Sequence, residues 1–150
     1  MKSAAPQTLN ELFDDLQVVE EDVRKVIIEN YQASSKIYYA SLVLWGAANR
    51  TISQCRGFAS MVRDKNFTCS SAILRMQLDT VLRLYGGLRF GHIDEYADKI
   101  MDGQRVSDLK SHDGKRLFDT MLVKELSKQL PWISTVYDQT SGSIHLSRRH

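Results

Sequence analysis

The apolar residues of this chain recur at steps of three and four over several long segments, which is the spacing of one buried face of an α-helix. The clearest repeat begins at Cys69 and predicts a central helix in which Leu78 is fully buried. We expect Thr68 or Ser70 to cap its start and Gly86-Gly87 to end it, because glycine adopts the left-handed C-cap conformation without a steric penalty. The apolar positions of this helix are Ile73, Leu74, Leu78, Val81, Leu82, Tyr85 and Leu88.

A first helix is predicted near the start of the chain. Thr8 and Glu11 fit a capping box, in which each side chain binds a free backbone N–H group of the other residue. The apolar positions that follow predict a helix to about Asn30, with a mostly acidic outer face. We expect this helix to end in the break at residues 31–35.

The second helix is predicted over residues 36–64, with Ser34 or Ser35 as its N-cap. Gly46 and Gly57 are small enough to let another helix approach closely. Around residues 42–48 the helix is apolar on every side, so we expect neighbouring helices to enclose its middle. Part of that cover is expected from a second copy of the chain, because closed homodimers are the commonest soluble oligomers.

The helical pattern weakens after the central helix. A short helix is predicted over residues 92–102, closed by Gly103, with Ile93, Tyr96 and Ile100 facing inward. Residues 104–117 have no helical period, and the turn signal Asp113-Gly114 can join two very short strands or an open loop.

Two more helices complete the predicted fold. Asp119 or Thr120 caps the first of them, and Pro131 opens the last, since proline is well tolerated in a first turn. The apolar positions of the first are Met121, Leu122, Leu126 and Leu130. The predicted fold is therefore all-α: an up-and-down bundle of long helices with an irregular excursion at about residues 86–119. We expect one domain over residues 1–150, with residues 1–7 as a flexible leader.

The distribution of charge is more informative than its sum. The net charge of +2 is too small to indicate a nucleic-acid partner. Residues 1–30, however, carry a net charge of −4, and residues 31–82 carry +4. We therefore expect the acidic first helix to lie against the more basic second helix.

The cysteines and the N-terminal region bear on the cellular compartment. Cys55 and Cys69 have no metal-ligand spacing, and we expect both to be small buried residues in a reducing compartment. The N-terminal region has no signal-peptide pattern, because acidic residues interrupt it from Glu11 onward. The longest nearly apolar run, residues 37–48, is too short to span a bilayer. These observations predict a cytoplasmic protein with no membrane partner.

Two sets of polar residues, each spaced four apart along a predicted helix and here called polar lines, are the candidates for a functional site. Arg75, Asp79 and Arg83 are spaced four apart on the central helix, either as a solvated salt-bridge stripe or as a polar seam inside the bundle. The second line lies at the same spacing near the C-terminal end: Tyr137, Ser141, His145 and Arg149. We expect the two lines to meet, because buried charged groups cost much less when they are paired.

The two lines suggest roles for their members. Histidine suits acid–base catalysis because its pKa lies near neutrality, so His145 and Arg149 are the candidate catalytic residues. The candidate ligand-binding residues are Arg75, Asp79, Arg83, Tyr137 and Ser141. The alternative is that the second line is a solvated face, or that Gly142 interrupts its helical register.

The motif Arg75-Met-Gln77-Leu-Asp79-Thr-Val-Leu-Arg83, with the later Tyr137, Ser141-Gly142 and His145-Leu-Ser147, resembles a family of bacterial all-helical domains of uncharacterised function. These domains are similar in outline to the HEPN superfamily, whose members often dimerise and include RNA-cleaving toxins. The resemblance covers most of the chain from about residue 50. It departs from the HEPN ribonuclease signature at one point, since no arginine precedes His145 at the required spacing. Arg105 and His112 have that spacing but lie in the least helical part of the chain.

These observations lead to two hypotheses of function. The first is a bacterial helical module that self-associates or binds a protein partner, without a cofactor or a metal. The second is a HEPN-like protein that cleaves RNA or binds nucleotides through a polar cleft around His145. Phosphate-cradling and nucleophile-elbow motifs are absent from the sequence.

Overall fold

A computed structural model gives the fold and describes residues 8–33 and 36–145, with side chains through residue 142. Its helices are α1 (Leu9–Ala33), α2 (Tyr39–Arg63), α3 (Phe67–Phe90), α4 (Ile93–Met101), α5 (Asp119–Leu126) and α6 (Trp132–His145). A short 3₁₀ turn covers Val106–Asp108. The described ranges contain no strand, and Lys110 and Arg116 form an isolated antiparallel bridge. The predicted all-α class is confirmed.

Helix α1 begins with the predicted capping box. The Thr8 N–H donates to Glu11 Oε2 at 2.6 Å, and the Glu11 N–H donates to Thr8 Oγ1 at 3.3 Å. The Thr8 hydroxyl also donates to Glu11 Oε2, at 2.9 Å, and the two hydrogen bonds that Thr8 donates to this carboxyl lower its pKa. The helix continues three residues beyond the predicted end, to Ala33, so residues 31–33 are helical rather than part of the break.

Helices α1 and α2 pack antiparallel, and opposite charges meet between them. Arg56 Nε lies 2.9 Å from Glu20 Oε2, and the Arg63 guanidinium lies 4.2 Å from the centroid of the Phe13 ring. The acidic first helix therefore lies against the basic second one, as predicted. Phe13 is the one buried side chain that α1 contributes.

Helix α2 starts later than predicted, at Tyr39. The predicted caps Ser34 and Ser35 lie outside the described residues. Ala48 and Ile52 are buried, but Leu42 is exposed. The prediction that this part of α2 is enclosed on every side is therefore wrong within a single chain, because α1, α3 and α4 cover only part of its circumference.

Both ends of α3 differ from the prediction. Its N-cap is Asn66, whose side chain accepts a hydrogen bond from the Cys69 N–H at 3.1 Å, so neither Thr68 nor Ser70 has that role. At the other end the helix passes through Gly86 and Gly87 to Phe90, and Gly91 supplies the left-handed C-cap with φ 95°.

The Gly86-Gly87 pair serves helix packing rather than helix termination. A Cβ atom at Gly87 would lie 3.0 Å from Tyr96 Cδ1, and one at Gly86 would lie 3.0 Å from the Tyr96 hydroxyl. Tyr96 is buried on α4, and its hydroxyl donates to the backbone oxygen of Arg83 at 2.7 Å. The two glycines therefore let α4 pack directly against the backbone of α3.

The core of the molecule lies among α3, α4, α5, α6 and the loop before α5. Leu78 is 4% exposed, which confirms its predicted burial. Its buried neighbours in this cluster are Leu82, Tyr96, Val106, Leu109, Leu117, Leu122, Val123, Leu126 and Ile133. Gly114, in the predicted Asp113-Gly114 turn, has a positive φ. Gly103, which is predicted to close α4, also has a positive φ.

Several side chains predicted to be buried are exposed. They are Leu88, Ile93, Leu130 and Leu74, and Leu74 is the least exposed of the four. Cys69 is exposed and Cys55 half-buried, so the predicted burial of Cys69 is wrong: it lies in the first turn of α3, beyond the helices that cover its middle. Among the helices described here, none combines the length and the apolar character needed to cross a bilayer.

Candidate functional site

Arg75 is the centre of a polar cluster between α3, α5 and α6. Its Nη2 lies 3.1 Å from Asp79 Oδ1 and 3.8 Å from Asp119 Oδ2, the latter on the first residue of α5. Its guanidinium also lies 4.0 Å from the centroid of the Tyr137 ring of α6, within the range of a cation–π contact. With its side chain 13% exposed, Arg75 is held by two carboxylates and one aromatic face.

The two carboxylates of this cluster influence each other. Burial raises the pKa of Asp79 above its ordinary value, and the charge of Asp119 raises it further, while Arg75 opposes both effects. A carboxyl with a raised pKa binds a proton nearer to neutrality than a free aspartate does, which is the property of a general acid or base. Nη1 of Arg75 is buried without a hydrogen-bond partner among the described residues.

A second polar contact lies beside this cluster, between α2 and α3. Gln77 Nε2 donates to Thr51 Oγ1 at 3.1 Å, and Thr51 Oγ1 donates to the backbone oxygen of Ala47 at 2.8 Å. The Gln77 oxygen is buried without a hydrogen-bond partner in the part of the chain whose side chains are described. Polar contacts inside the bundle therefore extend from α2 across α3 to α5 and α6 and include Arg75 and Asp79, whereas Arg83, the third member of the predicted line, is exposed.

Arg83 differs from Arg75 because it lies at the surface between two clefts. The first, which we call the Arg105 cleft, has a volume of about 670 Å³ and includes Arg83, Arg105, Ser107, Phe118, Asp119 and Thr120 in its lining. The second, the Arg50 cleft, has a volume of about 210 Å³, and its lining includes Arg50, Asp79, Arg83 and Leu84. Asp79 and Asp119 each border a cleft, so the cluster around Arg75 is not sealed from solvent.

Helix α6 brings part of the second polar line to this cluster. Gly142 does not interrupt the helix, which continues to His145. Tyr137 stacks on Arg75, and Ser141, one turn further along, is half-buried. His145 is the last residue of α6 that the structure describes, about 12 Å along the axis from Tyr137 at 1.5 Å per residue. Its side chain, and the whole of Arg149, lie outside the described part of the chain, so the predicted catalytic pair stays a prediction.

Two residues of this region, Asp119 and Arg105, are not predicted as site residues from the sequence. Asp119 was predicted only as a helix cap, yet it pairs with Arg75 across the core. Arg105 was considered only for its spacing to His112, yet it faces the same cleft as Arg83. No local signal points to either residue, because each reaches the site through an irregular segment whose path a helical period does not predict.

The described residues contain no group of three or more histidine, cysteine or acidic side chains that could hold a metal ion. His92 and His112 are the histidines whose side chains are described, and His112 lies at 3.0 Å from the backbone oxygen of Arg89 through Nδ1. Comparison with protein families, with curated proteins and with solved structures gives no match to this chain.

Proposed function

We propose that this chain is a helical module that associates with a second copy of itself through α1. One observation carries the proposal: α1 is 25 residues long, yet it buries a single side chain, Phe13. A helix of this length needs an apolar face covered by neighbours to be stable, because helix propensity alone contributes little. In the described chain α1 packs chiefly on α2.

The uncovered part of α1 has the spacing of an interface. Leu12, Val19 and Val26 are seven residues apart and are 45%, 43% and 47% exposed. A seven-residue repeat places them on one stripe beside the face that packs on α2. The stripe is bordered by acidic residues, Asp22 and Glu29 among them.

The remainder of the chain provides the complementary charge. Residues 31–150 carry a net charge of +6, against −4 for residues 1–30. Leu84 and Leu88 form exposed apolar surface on α3, and Arg50 is exposed near Leu84 at the Arg50 cleft. We infer that the acid-bordered stripe of one copy lies against this surface of the other copy, and reciprocally. Such two-fold pairing closes the assembly as a dimer.

The test is the oligomeric state of stripe variants. Light scattering coupled to size exclusion should give a dimer for the unaltered chain, and the combined change Val19→Gln and Val26→Gln should shift it to a monomer. The matched control is Ile28→Gln, because Ile28 is 54% exposed on another side of the same helix and its change should leave the dimer intact. Arg50→Glu should also weaken the dimer, and more so at low salt. A strict monomer at high concentration would refute the proposal.

A second candidate function is RNA cleavage by a HEPN-like site that uses His145. It is favoured by the unbroken course of α6, which gives Tyr137, Ser141 and His145 a shared helical line, and by the contact of Tyr137 with Arg75. Incubation of the purified protein with single-stranded RNA tests it. The expected result is cleavage that His145→Ala abolishes and that His92→Ala leaves unchanged; cleavage that survives His145→Ala would exclude this site.

A further inference from the structure

The Arg105 cleft has the side chains of an oxyanion site. Arg83 comes from α3 and Arg105 from the loop after α4, and both line the same concavity together with the hydroxyl residues Ser107 and Thr120. Guanidinium groups recognise phosphate through paired hydrogen bonds, and hydroxyl groups add further donors. The four residues come from three separate segments, so their convergence is a property of the fold and not of one helix face.

The two arginines of the cleft are not paired with a carboxylate at ion-pair distance among the described side chains, and Asp79 acts on Arg83 only through a longer-range charge interaction. Arg75 and Arg89, in contrast, are each paired with two acidic residues. The chain therefore neutralises the arginines of its interior and leaves the two cleft arginines available to an external anion.

Asp119 is the acidic residue in the lining of this cleft, and its contact with Arg75 reduces its repulsion of a bound anion. Its Oδ2 lies 3.8 Å from Arg75 Nη2, so the guanidinium neutralises part of its negative charge. The start of α5 lies at the same place, and no side chain caps its free N–H groups. These groups add some positive potential at the cleft to the larger potential of the two guanidinium groups.

The size and the aromatic edge of the cleft indicate the class of ligand. The cleft is open to solvent, and its volume of about 670 Å³ is sufficient for a ligand of nucleotide size and large for a lone phosphate ion. Phe118 is exposed in the lining, where its ring can stack on a planar group. We propose that the Arg105 cleft binds a phosphomonoester of nucleotide size, with Arg83 and Arg105 on the phosphate and Phe118 against its ring. The site does not depend on the self-association through α1.

Titration calorimetry at low ionic strength tests this proposal with four probes: inorganic phosphate, adenosine 5′-monophosphate, adenosine, and a single-stranded RNA without a terminal phosphate. We expect adenosine monophosphate to bind at least ten-fold more tightly than adenosine or inorganic phosphate. Arg83→Gln and Arg105→Gln should each weaken its binding at least ten-fold. Arg24→Gln is the matched control, because it removes the same charge from an exposed position on α1 and should have no effect.

A further variant distinguishes binding of the ring by Phe118 from binding of the phosphate by the two arginines. Phe118→Ala should weaken binding of the nucleotide several-fold and leave binding of inorganic phosphate unchanged. Circular dichroism confirms that each variant is folded, and the arginine variants alter exposed side chains, so they test the site even if Phe118→Ala disturbs α5. The proposal is overturned if neither inorganic phosphate nor adenosine monophosphate binds at millimolar concentration, if the variant that combines Arg83→Gln and Arg105→Gln binds as the unaltered chain does, or if only the RNA polymer binds.

Discussion

The contact between Gly87 and Tyr96 allows a direct test of how α4 packs against α3. Alanine normally stabilises a helix relative to glycine by about 1 kcal/mol. At Gly87, however, the added methyl group would lie 3.0 Å from Cδ1 and 3.1 Å from Cε1 of the Tyr96 ring. At Gly46, in α2, it would meet no atom within 4 Å. The same substitution should therefore have opposite effects at the two sites.

The magnitude at Gly87 follows from how firmly the ring is held. Tyr96 is buried, its hydroxyl is bonded to Arg83 O at 2.7 Å, and its ring lies 5.8 Å from that of Phe90 between centroids. Moving this ring aside would break the hydrogen bond to Arg83 and the contact with Phe90. Overpacking of a core typically costs about 1–3 kcal/mol. After the gain in helix propensity is subtracted, Gly87→Ala should lower the free energy of unfolding by about 1–2 kcal/mol. Gly46→Ala should raise it by about 0.5–1 kcal/mol.

Thermal unfolding followed by circular dichroism measures both variants. For a chain of this length each kcal/mol corresponds to about 2–4 °C in Tm. Replacing Tyr96 with leucine should remove the obstacle, so Gly87→Ala made in that variant should recover the stabilisation that Gly46→Ala gives. If Gly87→Ala in the unaltered chain stabilised as much as Gly46→Ala, the ring would not lie on the α3 backbone and the packing argument would be refuted.

Three further predictions concern the core, the first cap and the polar cluster. Leu78→Ala should cost about 2–5 kcal/mol in urea unfolding, and an unchanged midpoint would mean that α3 faces the other way. Thr8→Ala should cost about 0.5–2 kcal/mol by removing the capping box, whereas Thr8→Ser should cost little. Since the folded state binds the proton of Asp79 more tightly than the unfolded chain does, the contribution of this group to the free energy of unfolding should fall as pH rises from the ordinary aspartate pKa through the raised folded value. Asp79→Asn should remove that fall, and a pH profile identical to that of the unaltered chain would contradict it.

The features that the sequence predicts well are those set by neighbouring residues. The Thr8–Glu11 capping box, the burial of Leu78 and the pair of Arg75 with Asp79 each depend on residues three or four apart, or on one helical face. The contact between α3 and α6 was also predicted, because charged groups on an apolar helix need partners, and Tyr137 on Arg75 is such a contact.

The features that it does not predict depend on residues far apart in the chain. Gly86-Gly87 has the composition of a helix end, and its role as a packing surface depends on Tyr96, which follows a turn and a new helix. In the same way, the Arg105 cleft forms only when the irregular segment returns beside α3. Helical periodicity contains no information on such a return.

The attachment of α1 chiefly to α2 has a consequence for how the molecule unfolds. The core among α3, α4, α5 and α6 contains no side chain from α1. Detachment of α1 therefore breaks the Glu20–Arg56 pair and exposes Phe13, but leaves that core intact. A segment joined to the remainder by so few buried contacts opens at a lower free energy than the whole domain. The backbone amides of α1 should accordingly exchange with solvent earlier than those of α3, and the chain should behave as two cooperative units in which the longest helices do not have equal stability.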